Sequence, residues 1–278
     1  MPPLFRCLLL LLCATIGVST GLASEFWLLP ARFVVAPGTR LHIRVLVGDN
    51  FSGTRWAGQS SRLTRFVHYT PTDSTDLTPT ARQTDTLNTA VTFSQPGLHL
   101  LAFSTSAAVT VMEAGKFNAY LQAAGLEEAL ALRRQRQELA QPGREAYRRC
   151  AKTLLQVGAA SADTARIYAR VAGLPLELVP EQNPYTLKPG ASLTLRVLAA
   201  GQPVRGALVQ LWQRPPGQPM QVIRARSNQN GRVLFRLAGA SSYLVSTVRM
   251  VPAPDAKTAD WQSTWATLTF GGPGISGR

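Results

Sequence analysis

The chain has 278 residues, a formal net charge of +14 and three cysteines. A basic surface is compatible with nucleic acid, anionic lipid or acidic glycans as partners. The arginines are scattered along the sequence and are not gathered in one stripe, which argues against nucleic acid, and the length allows two small hydrophobic cores.

The first 23 residues are typical of a secretory signal peptide. Arg6 precedes an apolar run from Cys7 to Val18, and small residues end the segment at Ala23. An apolar run of about 12 residues is too short for a membrane span, which needs roughly 20. We predict cleavage after Ala23, a periplasmic or secreted location, and no transmembrane segment afterwards; the alternative is an uncleaved signal anchor. Cys150 would then be the only cysteine, which excludes an internal disulfide.

Residues 24–113 show the pattern of short strands. Apolar residues alternate with others from Leu41 to Val47, and further strand-like runs end at Phe93 and Phe103. Turn residues separate these runs, as at Pro96-Gly97. The pattern predicts an N-terminal β-sandwich domain.

Residues 114–170 change to a helical pattern. The stretch from Leu121 to Leu130 is rich in residues that favour helix. Gly158 is placed to end a second helix, because the apolar residues before it recur at helical spacing. These residues are Tyr147, Cys150, Ala151, Leu154 and Val157. We predict a helical segment, with Cys150 as a buried and inert thiol.

Residues 171–272 return to alternating strands, joined by turns at 201–203 and 228–231. About seven short strands in roughly 95 residues favour an immunoglobulin-like or transthyretin-like sandwich. Residues 273–278 are expected to form a disordered tail. The predicted fold is therefore mainly β, with two immunoglobulin-like β-sandwich domains joined by the helical segment.

Residues that could support catalysis are scarce. No serine lies in a Gly-x-Ser-x-Gly elbow, and no glycine-rich phosphate loop opens a helix. Glu177 and Asp260 are the only carboxylate pair worth testing for a hydrolase. The three histidines, His42, His68 and His99, would form a metal site if they converged on neighbouring strands; otherwise they are scattered strand residues. We predict that the protein is not an enzyme.

Six segments occur in the order of a known bacterial family and cover nearly the whole chain after the signal peptide. They are Glu25–Pro30, Val47–Gly53, Lys116–Leu121, Arg144–Gly158, Pro175–Pro180 and Asp260–Phe270. Their order resembles an exported family of domains of unknown function, some of whose relatives are periplasmic accessory proteins of nickel or cobalt uptake. Separately, Gly201–Val209 with Ser227–Phe235 resembles a carboxypeptidase-regulatory or transthyretin-like sandwich, a module that usually supports or binds.

The resemblance implies a periplasmic protein with β-sandwich domains and without demonstrated catalysis. Its metal-linked members place a histidine before the Glu-Phe-Trp run, where imidazole and the free amino group suit nickel. This chain has Ser24 there, and it has Thr247–Met250 where the family often has a further histidine. Both departures remove nitrogen ligands, and Arg249 leaves a cation instead. No cofactor is therefore expected, and nickel and cobalt are the metals that the family would suggest.

These observations lead to one hypothesis and one alternative. The hypothesis is a non-catalytic binding protein of the cell envelope, linked by its family to nickel or cobalt uptake, with an envelope protein or membrane transporter as partner. The alternative is a structural or protein-interaction module of the periplasm without a small-molecule ligand. The candidate ligand-binding residues are Glu25, Trp27, Arg249, Asp260 and Trp261, and the candidate metal ligands are His42, His68 and His99.

Overall fold

The structure is a computed structural model that describes residues 24–84, 87–160 and 165–272. The predicted signal peptide, residues 1–23, and the predicted tail, residues 273–278, lie outside the described residues. Within the described residues the chain is mainly β, as the sequence predicts. No helix among them has the length and hydropathy needed to cross a bilayer.

The strands of the N-terminal part are β1 (Glu25–Leu29), β2 (Val34–Val35), β3 (Thr39–His42), β4 (Arg44–Asp49), β5 (Ser52–Arg55), β6 (Leu63–Tyr69), β7 (Ser74–Asp76), β8 (Ala90–Phe93), β9 (Gly97–Thr105) and β10 (Ala108–Met112). The helices are α1 (Thr78–Ala81), α2 (Ala114–Ala123) and α3 (Glu127–Gln135), with 3-10 turns at Ser60–Arg62 and Ile167–Ala169. The later strands are β11 (Gly143–Val157), β12 (Leu176–Pro180), β13 (Ser192–Ala199), β14 (Gln202–Pro203), β15 (Leu208–Arg214), β16 (Gln221–Arg226), β17 (Arg232–Arg236), β18 (Ser242–Pro252) and β19 (Trp261–Gly271).

The largest sheet has ten strands and runs through both parts of the chain. Its order is β16-β15-β18-β19-β11-β9-β6-β7, and β10 and β2 also pair with β11. Strand β11 runs parallel to β19 over Glu145–Thr153 and antiparallel to β9 over Leu154–Val157. The strands of the N-terminal and C-terminal parts are therefore joined through β11 into one hydrogen-bonded sheet.

The prediction of a second helix, ending at Gly158 and carrying Tyr147 to Val157, is wrong, because this segment belongs to strand β11. Cys150 and Leu154 pack into the hydrophobic cluster on one face of the sheet, and Ala151 and Leu155 pack into the cluster on the other. A strand that is buried on both faces loses the alternation of apolar and polar residues. Its apolar positions then imitate helical spacing.

The helical prediction is confirmed only for α2 and α3, which occupy the first part of residues 114–170. Two separate sandwiches joined by a helical connector are not confirmed. The segment predicted as connector contributes the strand that pairs with both β9 and β19.

Smaller sheets pack on both faces of the ten-stranded sheet. The sheet β12-β13-β14, with β17 paired to β13, covers one face, where Leu195 and Phe235 cluster with Leu268. On the other face Phe26 of β1 and Phe93 of β8 share a cluster with residues of β9 and β11. Complete burial of a Leu or Phe side chain contributes about 1.5–3 kcal/mol, so such side chains in both layers stabilise the packing of the smaller sheets on the large one.

Helices α2 and α3 pack against the ends of β18 and β19. Phe117 and Tyr120 of α2 share a cluster with Trp261, and the Tyr120 ring stacks on Trp265 with ring centroids 6.1 Å apart. At Gly143, the first residue of β11, a Cβ would lie 2.3 Å from Cδ1 of Phe117, so only glycine allows this approach. The contact fixes α2 over the sheet and places the α2–α3 turn beside β15 and β18.

Candidate functional site

An open groove of about 910 Å³ lies between the α2–α3 turn and strands β15 and β18. Apolar side chains line part of it, among them Leu126, Val204, Val248 and Met250. Charged side chains line the rest: Arg148, Arg205, Arg226, Arg249, Glu127 and Glu128. We call this surface the arginine groove. Of the residues that the sequence singles out as ligand-binding candidates, it contains Arg249.

The four arginines differ in what holds them. Arg226 donates to the Glu127 carboxylate and, at 2.7 Å, to the Gly206 carbonyl. Arg148 donates from Nε to Oγ1 of Thr264 at 3.0 Å. Arg205 and Arg249 are exposed, and neither side chain has an ion-pair or hydrogen-bond partner among residues 24–84, 87–160 and 165–272. Two guanidinium groups in the groove are therefore free to bind a ligand.

Glu25 lies in a smaller cavity of about 170 Å³ beside the arginine groove, and Leu208 and Val248 line both. Glu25 as a whole is 6% exposed. Burial raises the pKa of Glu25 to about 7, and Asp49 adds to this, although Arg149 and Arg224 oppose it. The cavity therefore holds a carboxyl that changes charge near neutral pH.

Trp27 and Trp261 lie in the core, and each is 1% exposed. Trp27 packs edge-on against Phe51 with ring centroids 5.9 Å apart, and Trp261 belongs to the cluster under α2. Neither ring lines the arginine groove. Their predicted role in ligand binding stays a prediction.

Asp260 is held by Arg144. It accepts from Nη2 of that guanidinium at 2.7 Å and from the Arg144 backbone amide at 3.1 Å. The Arg144 hydrogen bond also holds the pKa of the Asp260 carboxyl below its usual range. This pair connects the start of β19 to the start of β11.

Glu177 has its own partners and is not paired with Asp260. It accepts from Nζ of Lys152 at 3.0 Å, and its side chain and that of Lys152 are 0% and 1% exposed. The backbone amides of Ala172 and Gly173 also donate to it, at 2.9 and 3.0 Å. Glu177 and Asp260, the one carboxylate pair worth testing for a hydrolase, are therefore each neutralised by a different cation.

Two of the three histidines converge. His68 Nε2 lies 2.8 Å from His99 Nδ1, and His99 Nε2 lies 2.8 Å from the Gln95 carbonyl. A carbonyl can only accept, so His99 donates from Nε2 and accepts at Nδ1 from His68. Burial lowers the pKa of His68 to about 4 and also lowers the pKa of His99.

His42 lies apart from this pair, exposed at the end of β3. Nowhere in the described ranges do three or more His, Cys, Asp or Glu side chains come close enough together to hold one metal ion. His68 and His99 therefore lie together and His42 does not join them, while their role as metal ligands stays a prediction.

A second groove, of about 890 Å³, contains His42 and Trp56. Trp56 packs edge-on against Phe26 with ring centroids 5.3 Å apart, and Arg44 and Arg55 also line the groove. We call it the tryptophan groove. It is a further open surface on which a ligand could rest.

The sequence pattern does not indicate Arg148, Arg205 and Arg226 as residues of one site. They come from different elements and share no motif. The pattern also does not indicate a buried polar network, in which Tyr120 and Ser263 donate to the Glu145 carboxylate. The turn at 201–203 was the one usable signal, because it marks the loop that carries Arg205.

A family model described as "Domain of unknown function (DUF4198)" matches residues 22–250. No curated protein matches the sequence. Solved structures that align include trypsin-activated alpha-2-macroglobulin from Escherichia coli, at 12% identity and a TM-score of 0.20, over 90% of this chain and 16% of that one.

Two further alignments are as slight. The D0-D1 domain of Intimin aligns at 10% identity and a TM-score of 0.20, over 88% of this chain and 97% of that one. Dimeric latent PorU from Porphyromonas gingivalis aligns at 10% identity and a TM-score of 0.19, over 88% of this chain and 20% of that one. TM-scores this low do not indicate a shared fold, so nothing about fold or function is inferred from these alignments.

Proposed function

We propose, from the premise that this chain belongs to the DUF4198 family of domains of unknown function, that it is a non-catalytic binding protein of the cell envelope. The arginine groove is the observation that carries the proposal. Its volume of about 910 Å³ lies within the range of about 300–1,000 Å³ that is usual for ligand sites. It combines an apolar lining with two guanidinium groups that no described residue uses.

Binding is favoured over catalysis because the reactive side chains have structural partners. Glu177 is paired with Lys152, Asp260 with Arg144, and His68 with His99. Burial raises the pKa of the Cys150 thiol to about 11, which keeps this group protonated and unreactive at neutral pH.

The envelope location is supported by the leader-like first 23 residues. The similarity of the C-terminal part to transthyretin-like modules also supports a binding role. An envelope protein or a membrane transporter is the partner that fits this location.

A metal site in this chain itself is not favoured. Ser24 stands where the resemblance implies a histidine in metal-linked members, and Thr247–Met250 lacks the further histidine that it implies. His68 and His99 also each use one ring nitrogen in their mutual hydrogen bond. We therefore assign a link to nickel or cobalt uptake to the partner and not to metal ligands in this chain.

Site-specific photocrosslinking in cells tests the binding function. A crosslinking amino acid is placed at position 249 in the arginine groove, at position 42 in the tryptophan groove, and at position 236 as a control. Arg236 is exposed and lines neither groove. We expect an adduct from at least one groove position and none from the control. Adducts from neither groove, or equal adducts from position 236, would contradict the proposal.

Terminal sequencing of the native protein tests export in the same cells. A chain that begins at Ser24 supports the proposal, and one that keeps Met1 contradicts it.

The alternative of a protein-interaction module is favoured by strand β10. This strand pairs only with β11 among the described strands, and Val109 and Val111 are 50% and 64% exposed. Exposed β-branched residues on an edge strand are suited to pairing with another chain. A crosslinker at position 111 that captures a protein, while positions 249 and 42 give no adduct, would favour this alternative.

A further inference from the structure

We infer that the arginine groove binds an organic anion, which carries a carboxylate or phosphate group and an apolar part. The inference rests on the proposed binding function and names the class of ligand for that groove. The charges of the groove, the partners of its arginines and its apolar lining support the inference.

The charge of the groove is positive and only partly compensated. Four arginines face two glutamates, which leaves a net charge of +2. The ion pair between Arg226 and Glu127 removes one charge of each sign. Arg205 and Arg249 remain unpaired among the described residues, so the uncompensated charge includes both of them.

Three arginines approach the same hollow from different elements. Arg249 lies on β18, Arg148 on β11, and Arg205 in the loop that follows β14. The bond from Nε of Arg148 to Thr264 fixes that guanidinium and leaves its Nη groups without a partner in the described part of the chain. A guanidinium presents paired donors that match carboxylate and phosphate oxygens. An oxyanion is therefore the group that this arrangement recognises.

The apolar lining distinguishes an organic anion from an inorganic one. Leu126, Val204 and Met250 lie in the same hollow as the arginines. A small inorganic ion would leave this surface in contact with water, whereas an aliphatic or aromatic portion would cover it. Glu128 on the α3 side would repel an anion, so the charged end is expected near Arg205 and Arg249.

Fluorescence titration of the exported protein tests the inference. The probes are dansyl-undecanoic acid, its uncharged methyl ester, and a dansyl-undecyl phosphate. We expect one site for the acid, the phosphate or both, and binding of the ester at least about tenfold weaker, because a charge-assisted hydrogen bond is lost. Comparing the two anions identifies which oxyanion the groove prefers.

A double variant, R205A with R249A, locates the site. Both side chains are exposed and without partners among the described residues, so the fold should survive; far-UV circular dichroism checks this. We expect about tenfold or greater loss of affinity for the anion, and no more than about a twofold change in the matched variant R236A. The control removes a cation outside the groove.

Three results would overturn the inference: an ester that binds as tightly as both anions, a double variant with unchanged affinity, or no binding of either anion up to about 1 mM. An adduct from position 249 together with any of these results would leave the binding function standing and reject the anionic ligand. Absence of adducts from both grooves would reject the binding function itself.

Discussion

Lys152 and Glu177 form an ion pair whose side chains are 1% and 0% exposed. Burial lowers the pKa of Lys152, so its charge depends on the carboxylate opposite. The Arg170 carbonyl and the amides of Ala172 and Gly173 complete the hydrogen bonds of the pair. Forming such a pair costs desolvation energy. Removing only one of its two partners destabilises the fold more, because the other charge stays buried without compensation.

We expect Glu177→Gln to lower the free energy of unfolding by about 3–5 kcal/mol, because Lys152 would keep a buried, uncompensated charge. Adding Lys152→Met should recover part of this loss. Denaturant unfolding measures both. The control is Glu181→Gln, which breaks half-exposed pairs with Arg196 and Arg232 and should cost about 0–1 kcal/mol. Equal costs for Glu177→Gln and Glu181→Gln would contradict the structural role of the buried pair.

Glu25 should make stability depend on pH. The pKa of its carboxyl is about 7 in the folded protein and near 4.5 in an unfolded chain. Between these values the folded state holds a proton that the unfolded state has released. The stability from the protonated carboxyl is therefore full below about pH 4.5 and is lost as the pH rises through 7.

Glu25→Gln removes this dependence. The difference in unfolding free energy, Gln variant minus original protein, should rise by roughly 2–3 kcal/mol when the pH is raised from 5 to 8. The reason is that only the original protein loses the stabilisation from the protonated carboxyl. Unfolding at both pH values measures the gain. Glu113→Gln, at a side chain that is 77% exposed, serves as the control and should show no such change. A pH-independent difference between the variant and the original would show that Glu25 ionises normally.

At the residue scale, the sequence could identify single groups but not their neighbours. Arg249 stood out in the sequence, and it lies in the arginine groove. Arg148 and Arg205 join it only because β11 and the loop after β14 reach the same hollow. His68 and His99 meet because β6 and β9 are adjacent antiparallel strands. Which side chains come together depends on strand order and register in the sheet, and these cannot be read from residue type and spacing.

At the scale of elements, alternation predicts a strand well when one face is exposed. Strand β17 shows this, since Val233 and Phe235 are buried and the residues between and beside them are exposed. Strand β11 does not show this alternation, because both of its faces are buried from Cys150 onward. Helices α2 and α3 were predictable, because they pack on one side only and keep a polar side.

One added methyl group at Gly143 should weaken the packing of α2 on β11. We expect Gly143→Ala to cost about 1–3 kcal/mol, because its Cβ would lie 2.3 Å from the buried Phe117 ring. Gly115→Ala in α2 is the matched control. Its Cβ would meet nothing within 4 Å, and alanine favours helix, so stability should rise by up to about 1 kcal/mol. Denaturant unfolding compares the two, and a neutral Gly143→Ala would show that α2 does not sit tightly on β11.

At the scale of the whole molecule, β11 makes the N-terminal and C-terminal strands parts of one sheet. The largest hydrophobic cluster also includes residues of both parts, such as Leu100 of β9 and Phe235 of β17. Unfolding one part would expose apolar surface and unpaired backbone groups of the other. The two parts are therefore expected to unfold together, whereas two independent sandwiches would unfold separately.

This coupling predicts a single transition, in which far-UV circular dichroism and tryptophan fluorescence change together and the calorimetric and van't Hoff enthalpies agree. Two core truncations make the test sharper. Phe103→Ala in β9 and Phe235→Ala in β17 should each lower the free energy of unfolding by about 3–5 kcal/mol. Each should move the whole transition, because its cost is shared by one cooperative unit. If Phe103→Ala moved only part of the signal and Phe235→Ala only the rest, β11 would not couple the two parts.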